Sequence, residues 1–408
     1  MTALIYTANK HGLAIAADSA TTVSNGKNGK VYNTANKIFT LSKYRPVGIM
    51  ICGNAELKGI PWDIIIKGFR QQLNKDSFGE LSEYTQHFVN YLKSGVFPFS
   101  KTTNTQSIID FANMEWQNFL QSFIPLGTPN GTNINIPANV MAAKLQDFIH
   151  SDEGESICLN YFEDFKKIID NFCSKLFNSG NPTQDVQMRQ LFEQYVYKMY
   201  LRKNHSELVL VGYGEKEIYP SLQSVKIYSA LNDIWKEKIL PVSKISDNQP
   251  ATIHSFAQNE DMITMIEGVH PRLYANMMQS AATTLNTFKQ DIINKLKDND
   301  LKEEIQKMDV GGYVNRFNQE SINHKNNIYI APLIQNVGVL EKEDLAALAE
   351  NLISITSLRK KVTMEQESVG GPIDVAVISK YDGFIWLKRK HYFDAAENPQ
   401  FRENYYQE

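Results

Sequence analysis

The sequence predicts an α+β protein in which antiparallel β-sheets are layered with helices. The predicted elements come in blocks, in the order strands, helices, strands, helices and strands, and this segregation is typical of antiparallel sheets rather than of alternating βαβ units. The first two strand segments, Ala3 to Thr7 and Leu13 to Ala17, are continuously apolar, which indicates strands buried on both faces. A central region, about 105–203, instead has aromatic side chains at helical spacing.

Four strands are predicted within the first 52 residues. Besides the two apolar runs, Lys37 to Leu41 and Val47 to Cys52 have strand composition, and the residues Asn9 to Gly12 have turn chemistry. A polar, glycine-bearing loop, Ser24 to Gly29, lies between the two pairs. Because short loops connect these strands, we expect them to form an antiparallel meander.

Helices and strands then alternate in blocks along the rest of the chain. The further predicted elements are helices after Pro61, at Ser82 to Ser94 and through about 105–203, strands at Leu208 to Val211, Val225 to Tyr228 and Ala251 to Phe256, helices at about 271–297 and 343–358, and a closing hairpin of Ile373 to Ile378 and Phe384 to Leu387. The residues predicted to line the core-facing side of the helix at 343–358 are Leu345, Leu348, Ala349, Leu352 and Ile355.

Composition excludes several classes of function. The 408 residues are 42% hydrophobic and carry 42 basic and 45 acidic side chains, so a net charge of −3 gives no electrostatic basis for binding nucleic acid or an anionic membrane. No stretch approaches the roughly 18 apolar residues of a membrane span, and the amino-terminal residues lack the pattern of a secretory signal. Three cysteines and eight histidines without metal-ligand spacing predict neither metal nor cofactor. We therefore expect a soluble cytoplasmic protein.

Two charged residues stand at the ends of apolar predicted strands. Asp18 follows Leu13 to Ala17, and Lys37 opens the strand that ends at Leu41. A buried charge is costly unless it is paired, so the two could meet as an ion pair, or each could cap its own strand at the surface. Thr2 adds a candidate nucleophile. If Met1 is excised, Thr2 carries both a hydroxyl and a free α-amine with a pKa of about 7.7–8.0, which together supply a nucleophile and a base.

The sequence around these residues resembles the opening pattern of proteasome β subunits. The segments that carry the resemblance are Thr2 to Ile5, Gly12 to Ser19, Asn36 to Leu41 and Gly48 to Glu56. The proteolytic subunit of the bacterial two-component ATP-dependent protease shares this pattern, and there too the nucleophilic Thr directly follows the initiator Met. Later segments similar to the central strand pair and to the last glycine turn and strand of that fold are Val209 to Gly214, Ile218 to Pro220 and Ser368 to Ile378.

The resemblance implies the fold of N-terminal-nucleophile (Ntn) hydrolases, a four-layer αββα sandwich of antiparallel sheets, here with large helical insertions. It implies a single domain over residues 1–408, with a core at about 1–99 and 206–408. The chain is far longer than a typical β subunit. The excess is expected in a helical insertion at about 100–205 and in a smaller one at about 298–340.

The resemblance also implies a catalytic role for each residue at the strand ends. Thr2 Oγ would attack a carbonyl carbon while the α-amine of Thr2, directly or through a water, takes the proton. Lys37 would supply the positive charge that tunes the amine, and Asp18 would orient Lys37.

Further roles concern the oxyanion and the substrate groove. The resemblance places the oxyanion on a backbone N–H of Cys52 or Gly53, with the alignment ambiguous by one residue. Thr22 and Asn54 fall where members of the family line the groove that binds substrate.

One departure from the family keeps other functions open. Members support the amino terminus with a Ser and an Asp in later turns, whereas the best-aligned positions here are Gln258 and Gln366 to Val369, and Ser368 or Glu365 fits only with a register shift. We therefore weigh a threonine peptidase acting on a peptide or protein, a proteasome-like scaffold without catalysis, and an Ntn amidase for a small molecule. A homo-oligomer is expected, with any ATPase or regulator unknown.

Overall fold

The computed structural model combines antiparallel sheets with blocks of helices, which confirms the predicted α+β class. It describes residues 3–24, 29–97, 105–123, 136–150, 163–178, 180–229, 235–257, 260–363, 369–391, 393–394 and 397–400.

The elements follow the predicted order. The strands are β1 (Ala3–Asn9), β2 (Gly12–Ala17), β3 (Thr21–Ser24), β4 (Gly29–Tyr32), β5 (Ile38–Thr40), β6 (Val47–Gly53), β7 (Glu56–Leu57), β8 (Ile60–Pro61), β9 (His205–Gly212), β10 (Ser221–Ser229), β11 (Trp235–Ile239), β12 (Ser243–Lys244), β13 (Ala251–Ala257), β14 (Asp374–Ser379) and β15 (Gly383–Lys388). The helices are α1 (Trp62–Leu73), α2 (Leu81–Lys93), α3 (Thr105–Gln121), α4 (Ala138–His150), α5 (Glu163–Leu176), α6 (Pro182–Lys203), α7 (Glu260–Glu267), α8 (Pro271–Lys295), α9 (Asn299–Gln306), α10 (Val310–Lys325), a π-helical turn (Asn326–Ile330), α11 (Ala331–Val337) and α12 (Lys342–Val362).

Two sheets form the centre of the molecule. Sheet 1 has the strand order β13-β1-β2-β14-β15, and sheet 2 has the order β11-β10-β9-β6-β5 with β12 paired to one end of β10. Neighbouring strands in both sheets run antiparallel, with Ile5 opposite Ala16 in sheet 1 and Ile49 opposite Leu210 in sheet 2.

The predicted meander of the first four strands is wrong. β1 and β2 pair with each other in sheet 1, whereas β5 and β6 belong to sheet 2, and the separate hairpin of β3 and β4 lies between the two pairs in sequence. Apolar patterns identify strands without naming their partners, and here the partners β13, β14 and β9 come from much later in the chain.

The two sheets pack face to face through one hydrophobic cluster. Leu4 and Leu13 of sheet 1 meet Met50 and Val209 of sheet 2 in this cluster. Because successive side chains of a strand point to opposite faces, the residues between them need cover on the other side of each sheet. This explains the continuously apolar runs in the sequence.

Helices cover the outer faces of both sheets. Ile49 and Leu210 of sheet 2 belong to a cluster with side chains of α1 and α2. Ile5 and Ala16 of sheet 1 belong to a cluster with side chains of α12, together with Met262 of α7 and Val337 of α11. Every residue of β1, β2 and β14 is consequently buried.

The core-facing side of α12 differs from the prediction at one position. Leu345, Ala349 and Leu352 are buried as predicted, but Ile355 is exposed, and Ile353 is buried in its place. The buried positions 345, 346, 349, 352, 353 and 356 repeat every seven residues, and at about 100° per residue Ile355 lies outside the stripe that they form.

Two groups of helices stand apart from this arrangement. Side chains of α3 to α6 pack around their own hydrophobic cluster, which also includes Tyr228 of β10. The insertion boundaries at about 100–205 and 298–340 stay predictions. By contrast, α8, α9 and α10 contain no buried residue. Within the described ranges, no helix is both long and apolar enough to cross a membrane.

Candidate active site

The structure brings Asp18 and Lys37 together at the ends of strands from different sheets. Asp18 directly follows β2 of sheet 1, and Lys37 directly precedes β5 of sheet 2. Lys37 Nζ lies 2.6 Å from Asp18 Oδ1, and the two residues are only 5% and 1% exposed. Removing one partner from a buried ion pair leaves the other charge buried and unpaired, which is strongly destabilising.

The Asp18 carboxylate accepts hydrogen bonds from four donors. Oδ1 accepts from Lys37 Nζ and from the backbone N–H of Ala3 at 2.9 Å. Oδ2 accepts from the backbone N–H groups of Ala20 and Gly370, each at 3.1 Å. The donors satisfy both oxygens of a carboxylate that is almost fully buried. Asp18 therefore ties the first strand to the lysine and to the turn before β14.

The Lys37 ammonium is held on two sides. Besides Asp18, it donates a hydrogen bond of 2.6 Å to the carbonyl oxygen of Ala20. Burial lowers the pKa of Lys37 below its usual value, Asp18 opposes this shift, and the charge of Lys390 lowers the pKa further. The lysine is thus fixed in position inside the protein rather than extended into solvent.

Thr2 lies outside the described residues. Ala3 N, the nitrogen of the peptide bond between residues 2 and 3, donates to Asp18 Oδ1 at 2.9 Å. The catalytic role of Thr2 stays a prediction. The N–H of the peptide bond that follows Thr2 nevertheless donates to the carboxylate of the Asp18–Lys37 pair.

A glycine turn before β14 supports this arrangement. Ser19 donates from its backbone N–H to Gly370 O at 3.1 Å, and its hydroxyl donates to Pro372 O at 2.5 Å. Gly371 has a φ of +76°, and a Cβ at this position would come within 2.7 Å of Asn33 Cβ. Only glycine therefore fits this turn without displacing its neighbours.

The two residues predicted to hold the oxyanion lie at the end of β6. Gly53 has a φ of +83°, and an added Cβ would lie 2.3 Å from His205 O, so the position requires glycine. The side chain of Cys52 is buried, and its Sγ lies 3.9 Å from Glu207 Oε2. Burial, followed by the charge of Glu207, raises the pKa of this thiol, which makes Cys52 a poor nucleophile.

The two predicted groove residues are described to different extents. Asn54 follows Gly53 and donates its backbone N–H to His205 O at 3.0 Å. Its carbonyl accepts from Ser206 Oγ at 2.9 Å, and that hydroxyl accepts from Trp62 Nε1 at 2.8 Å. Thr22 lies in β3, but its side chain is outside the described part of the chain, as are Gln258, Glu365 and Ser368.

A second ion pair, which the sequence did not single out, lies beside the first. Asp374, at the start of β14, is buried, and its carboxylate accepts from both Nζ and the backbone N–H of Lys390. Lys390 is close enough to lower the pKa of Lys37. Asp374 carries the same signal as Asp18, because it is the one charged residue in the apolar run Ile373 to Ile378, and that signal could have identified it.

Two clefts lie near the edge strands β5 and β15. One, of about 230 Å³, includes Asn36 and Ile38, the neighbours of Lys37, together with Asp374 and Lys390. A larger one, of about 500 Å³, lies at the other end of these strands, beside Arg45 and the turn between β14 and β15, and includes neither Asp18 nor Lys37. The smaller cleft is the one adjacent to the buried ion pairs.

Comparisons with known proteins were made by sequence and by structure. No protein-family model and no curated protein matches the sequence. Among solved structures, Anbu from Hyphomicrobium sp. strain MC1 is 9% identical, with a TM-score of 0.29 over 99% of this chain and 97% of that chain. Anbu (ancestral beta-subunit) from Yersinia bercovieri is 12% identical, with a TM-score of 0.28 over 98% of this chain and 94% of that chain.

A third similar structure is the helical assembly of the Anbu complex from Pseudomonas aeruginosa. It is 9% identical, with a TM-score of 0.29 over 98% of this chain and 93% of that chain. Similarity at this level carries no argument about activity, so the functional inference depends on the residues of this chain.

Proposed function

We propose that the chain is a threonine amidohydrolase of the Ntn class that hydrolyses peptide bonds with Thr2 after removal of Met1. One observation carries the proposal. A single buried carboxylate, Asp18, binds both the Lys37 ammonium and the backbone N–H of Ala3, the residue that follows Thr2. Through these two hydrogen bonds and the span of one residue, covalent geometry keeps the α-amine of a terminal Thr2 within about 9 Å of Lys37 Nζ.

The reaction follows from the groups that Thr2 carries. Its Oγ attacks the carbonyl carbon of the scissile amide while the α-amine takes the hydroxyl proton. The tetrahedral intermediate collapses with cleavage of the C–N bond, and the leaving amine receives that proton. The resulting ester on Thr2 is hydrolysed by a water molecule that the same amine deprotonates, which releases the acid and restores the hydroxyl.

Lys37 acts through its charge. An ammonium beside the α-amine disfavours protonation of that amine and so lowers its pKa toward neutrality, where an unprotonated base is needed. Asp18 favours the charged form of Lys37 and holds it in place at 2.6 Å. Asp18 and Lys37 are therefore positioning and tuning residues for the nucleophile.

The backbone pattern of β6 favours Gly53 over Cys52 as the oxyanion donor. Ile51 N donates to Lys37 O on the β5 side, and Asn54 N donates to His205 O on the β9 side. Successive N–H groups of a strand alternate in direction, so the N–H of Gly53 faces the β5 side and the N–H of Cys52 faces β9. Such a donor is worth about 3–4 kcal/mol in acyl transfer.

Three hydrophobic clusters support an αββα arrangement of four layers. One lies between the sheets, a second joins sheet 2 to α1 and α2, and a third joins sheet 1 to α12. In this arrangement, which we propose as the four-layer sandwich of Ntn hydrolases, Asp18 and Lys37 lie where the two inner layers meet.

Substitution of Thr2 tests the proposal. We expect Thr2→Ala to abolish hydrolysis of fluorogenic peptides and Thr2→Ser to retain part of it, while Thr283→Ala, at an exposed threonine of α8, leaves the rate unchanged. Intact mass after treatment with an epoxyketone should show loss of Met1 and an adduct on Thr2. Peptide hydrolysis that persists in Thr2→Ala would remove Thr2 from the mechanism.

The same assay separates the alternatives. Retention of Met1 with no adduct and no turnover would favour a scaffold without catalysis. An adduct on Thr2 together with turnover of small amides but not of peptides would assign the site to a small-molecule amidase.

A further inference from the structure

Helices α8 and α10 form an antiparallel hairpin without a hydrophobic core of its own. Tyr274 OH of α8 donates to Asn318 Oδ1 of α10 at 2.7 Å near one end of the pair. Near the other end, Lys289 Nζ donates to Gln306 O, at the end of α9, at 2.7 Å and to Met308 O, just before α10, at 3.0 Å. No residue of α8, α9 or α10 is buried. Isolated helices gain most of their stability from packing of an apolar face, so this hairpin needs apolar contacts beyond those described.

Of the six large apolar side chains exposed on α8 and α10, Leu285 is 38% exposed and the other five are more exposed. They are Leu273, Met277 and Phe288 of α8 and Tyr313 and Phe317 of α10, which are 47–62% exposed. We call this set the apolar face. Large contiguous apolar surfaces are uncommon on monomeric soluble proteins and mark interaction sites.

All five side chains of the apolar face lie on the same side of the hairpin. Each directly precedes a partly buried residue, and these residues are Tyr274, Met278, Lys289, Val314 and Asn318. Tyr274 and Asn318 meet across the pair, and the other three lie within about 60° of them around their own helices. A step of one residue along an α-helix rotates the side-chain direction by about 100° about the helix axis, in the same sense along both helices. Because the helices are antiparallel, a step of one residue back from the line of contact points the side chains of both helices to the same side of the pair. The exposed residues of α8 and those of α10 therefore share one face.

We propose that the apolar face is where two copies of this chain associate. Half of the roughly 200 Å² of a large side chain, over five side chains, gives about 500 Å² of apolar surface per copy. A standard interface buries about 800 Å² per partner, of which a little under two thirds is apolar. The apolar face therefore supplies about what one side of a stable dimer requires.

The charge of the hairpin fits a second copy better than a polyanion. Residues 271–330 contain eight Lys or Arg and seven Asp or Glu side chains. A nearly neutral surface gives no attraction to nucleic acid or to an anionic bilayer. It also lets two identical surfaces meet without like-charge repulsion.

Light scattering coupled to size exclusion tests the proposal on the full chain. We expect the wild type at 10–50 µM to have at least twice the chain mass. Phe288→Glu/Phe317→Glu should have half the wild-type mass, with a dissociation constant raised by about 100-fold or more. Ile64→Glu is the matched control, because Ile64 of α1 is exposed to a similar degree, at 55%. This control should keep the wild-type mass.

Hydrogen exchange on the wild type gives a readout that needs no variant. Amides of 271–330 should exchange more slowly as the concentration rises through the dissociation constant. A monomeric wild type, or an unchanged mass in a double variant with the wild-type circular dichroism spectrum, would overturn the proposal. Flotation of a monomeric wild type with phosphatidylcholine/phosphatidylglycerol vesicles would also overturn it and assign the face to lipid.

Discussion

The strand sandwich and the helical hairpin of α8 and α10 show two opposite ways of using apolar residues. Every residue of β1, β2 and β14 is buried, because each sheet is covered on one face by the other sheet and on the other face by helices. No residue of α8 or α10 is buried, although five large apolar side chains lie on one face of the pair. The sandwich buries its apolar residues within the chain, whereas we propose that a second copy covers those of the hairpin.

This difference sets the expected cost of substitution. In the sandwich a polar group must be paired and a cavity cannot close, so single changes act on the free energy of unfolding. In the hairpin the same changes act mainly on association. The following substitutions break or sharpen this contrast.

Asp18→Asn is expected to have the largest effect on stability. The change leaves the Lys37 ammonium buried without its counter-charge, which costs about 3–5 kcal/mol in the free energy of unfolding. Urea unfolding measures the loss. The exposed Asp300→Asn of α9 should stay within about 0.5 kcal/mol of the wild type.

A double variant shows whether the lost free energy of unfolding comes from the unpaired Lys37 ammonium. Asp18→Asn/Lys37→Met should be more stable than Asp18→Asn alone, because the second change removes the unpaired ammonium. If the double variant lost the sum of both single effects, the ion pair would not be the cause.

Leu352→Ala should cost about 2–5 kcal/mol, because Leu352 is buried between α12 and sheet 1 and the change leaves a cavity. Two leucine or isoleucine positions serve as comparisons. Ile355→Ala on the same helix and Leu301→Ala in α9 are exposed, and we expect less than about 1 kcal/mol for each in thermal or urea unfolding. Equal losses at Leu352 and Leu301 would abolish the contrast between the two regions.

Gly53→Ala and Gly59→Ala form a matched pair. Both glycines have a φ near +84°, so alanine should cost about 1–2 kcal/mol at each from the backbone alone. Only at Gly53 does the added Cβ meet a neighbour, His205 O at 2.3 Å, whereas nothing lies within 4 Å at Gly59. We expect Gly53→Ala to lose about 1–3 kcal/mol more than Gly59→Ala in urea unfolding. Equal losses would mean that the end of β6 can shift away from β9.

The smallest expected effect is a pH dependence at His254 of β13. Burial lowers the pKa of His254 below its usual value of about 6.5. Below pH 6.5 the unfolded chain therefore binds a proton that the folded chain does not, so this contribution to stability is fully present above pH 6.5 and falls as the pH drops toward the folded pKa.

His254→Gln should remove that contribution. Between pH 7.5 and 5.0, the variant should lose less stability than the wild type, by up to about 1 kcal/mol, in urea unfolding. The same pH dependence in both proteins would show that His254 is protonated equally in the folded and unfolded states.

The sequence predicted local features of the sandwich well because burial leaves a strong pattern. The strands at Ala3 to Thr7 and Val47 to Cys52 are present, and so is the helix at about 343–358 that covers sheet 1. Pairing was not predictable in the same way. A run such as Leu13 to Ala17 fits any apolar neighbour, and its partner β14 begins more than 350 residues later.

The candidate site was predictable only where a charge interrupts an apolar run. Asp18 and Lys37 gave this signal, and Asp374 gave it too without being singled out. Ala20 O and the N–H of Gly370 are backbone groups, so no side-chain pattern could identify them as partners. Exposure of the apolar face was hidden for a similar reason, since apolar residues at helical spacing predict a core whether or not the chain supplies one.

The hydrogen bond from Gly370 to Asp18 links residues 352 positions apart and has a consequence for synthesis. Asp18 leaves the ribosome early in translation. The N–H of Gly370, which donates to its carboxylate, emerges only after most of the chain has been translated. Loop closure over such a distance is slow compared with local folding. If the proposed activity holds, the nascent protein does not hydrolyse peptides until translation has passed the glycine turn before β14.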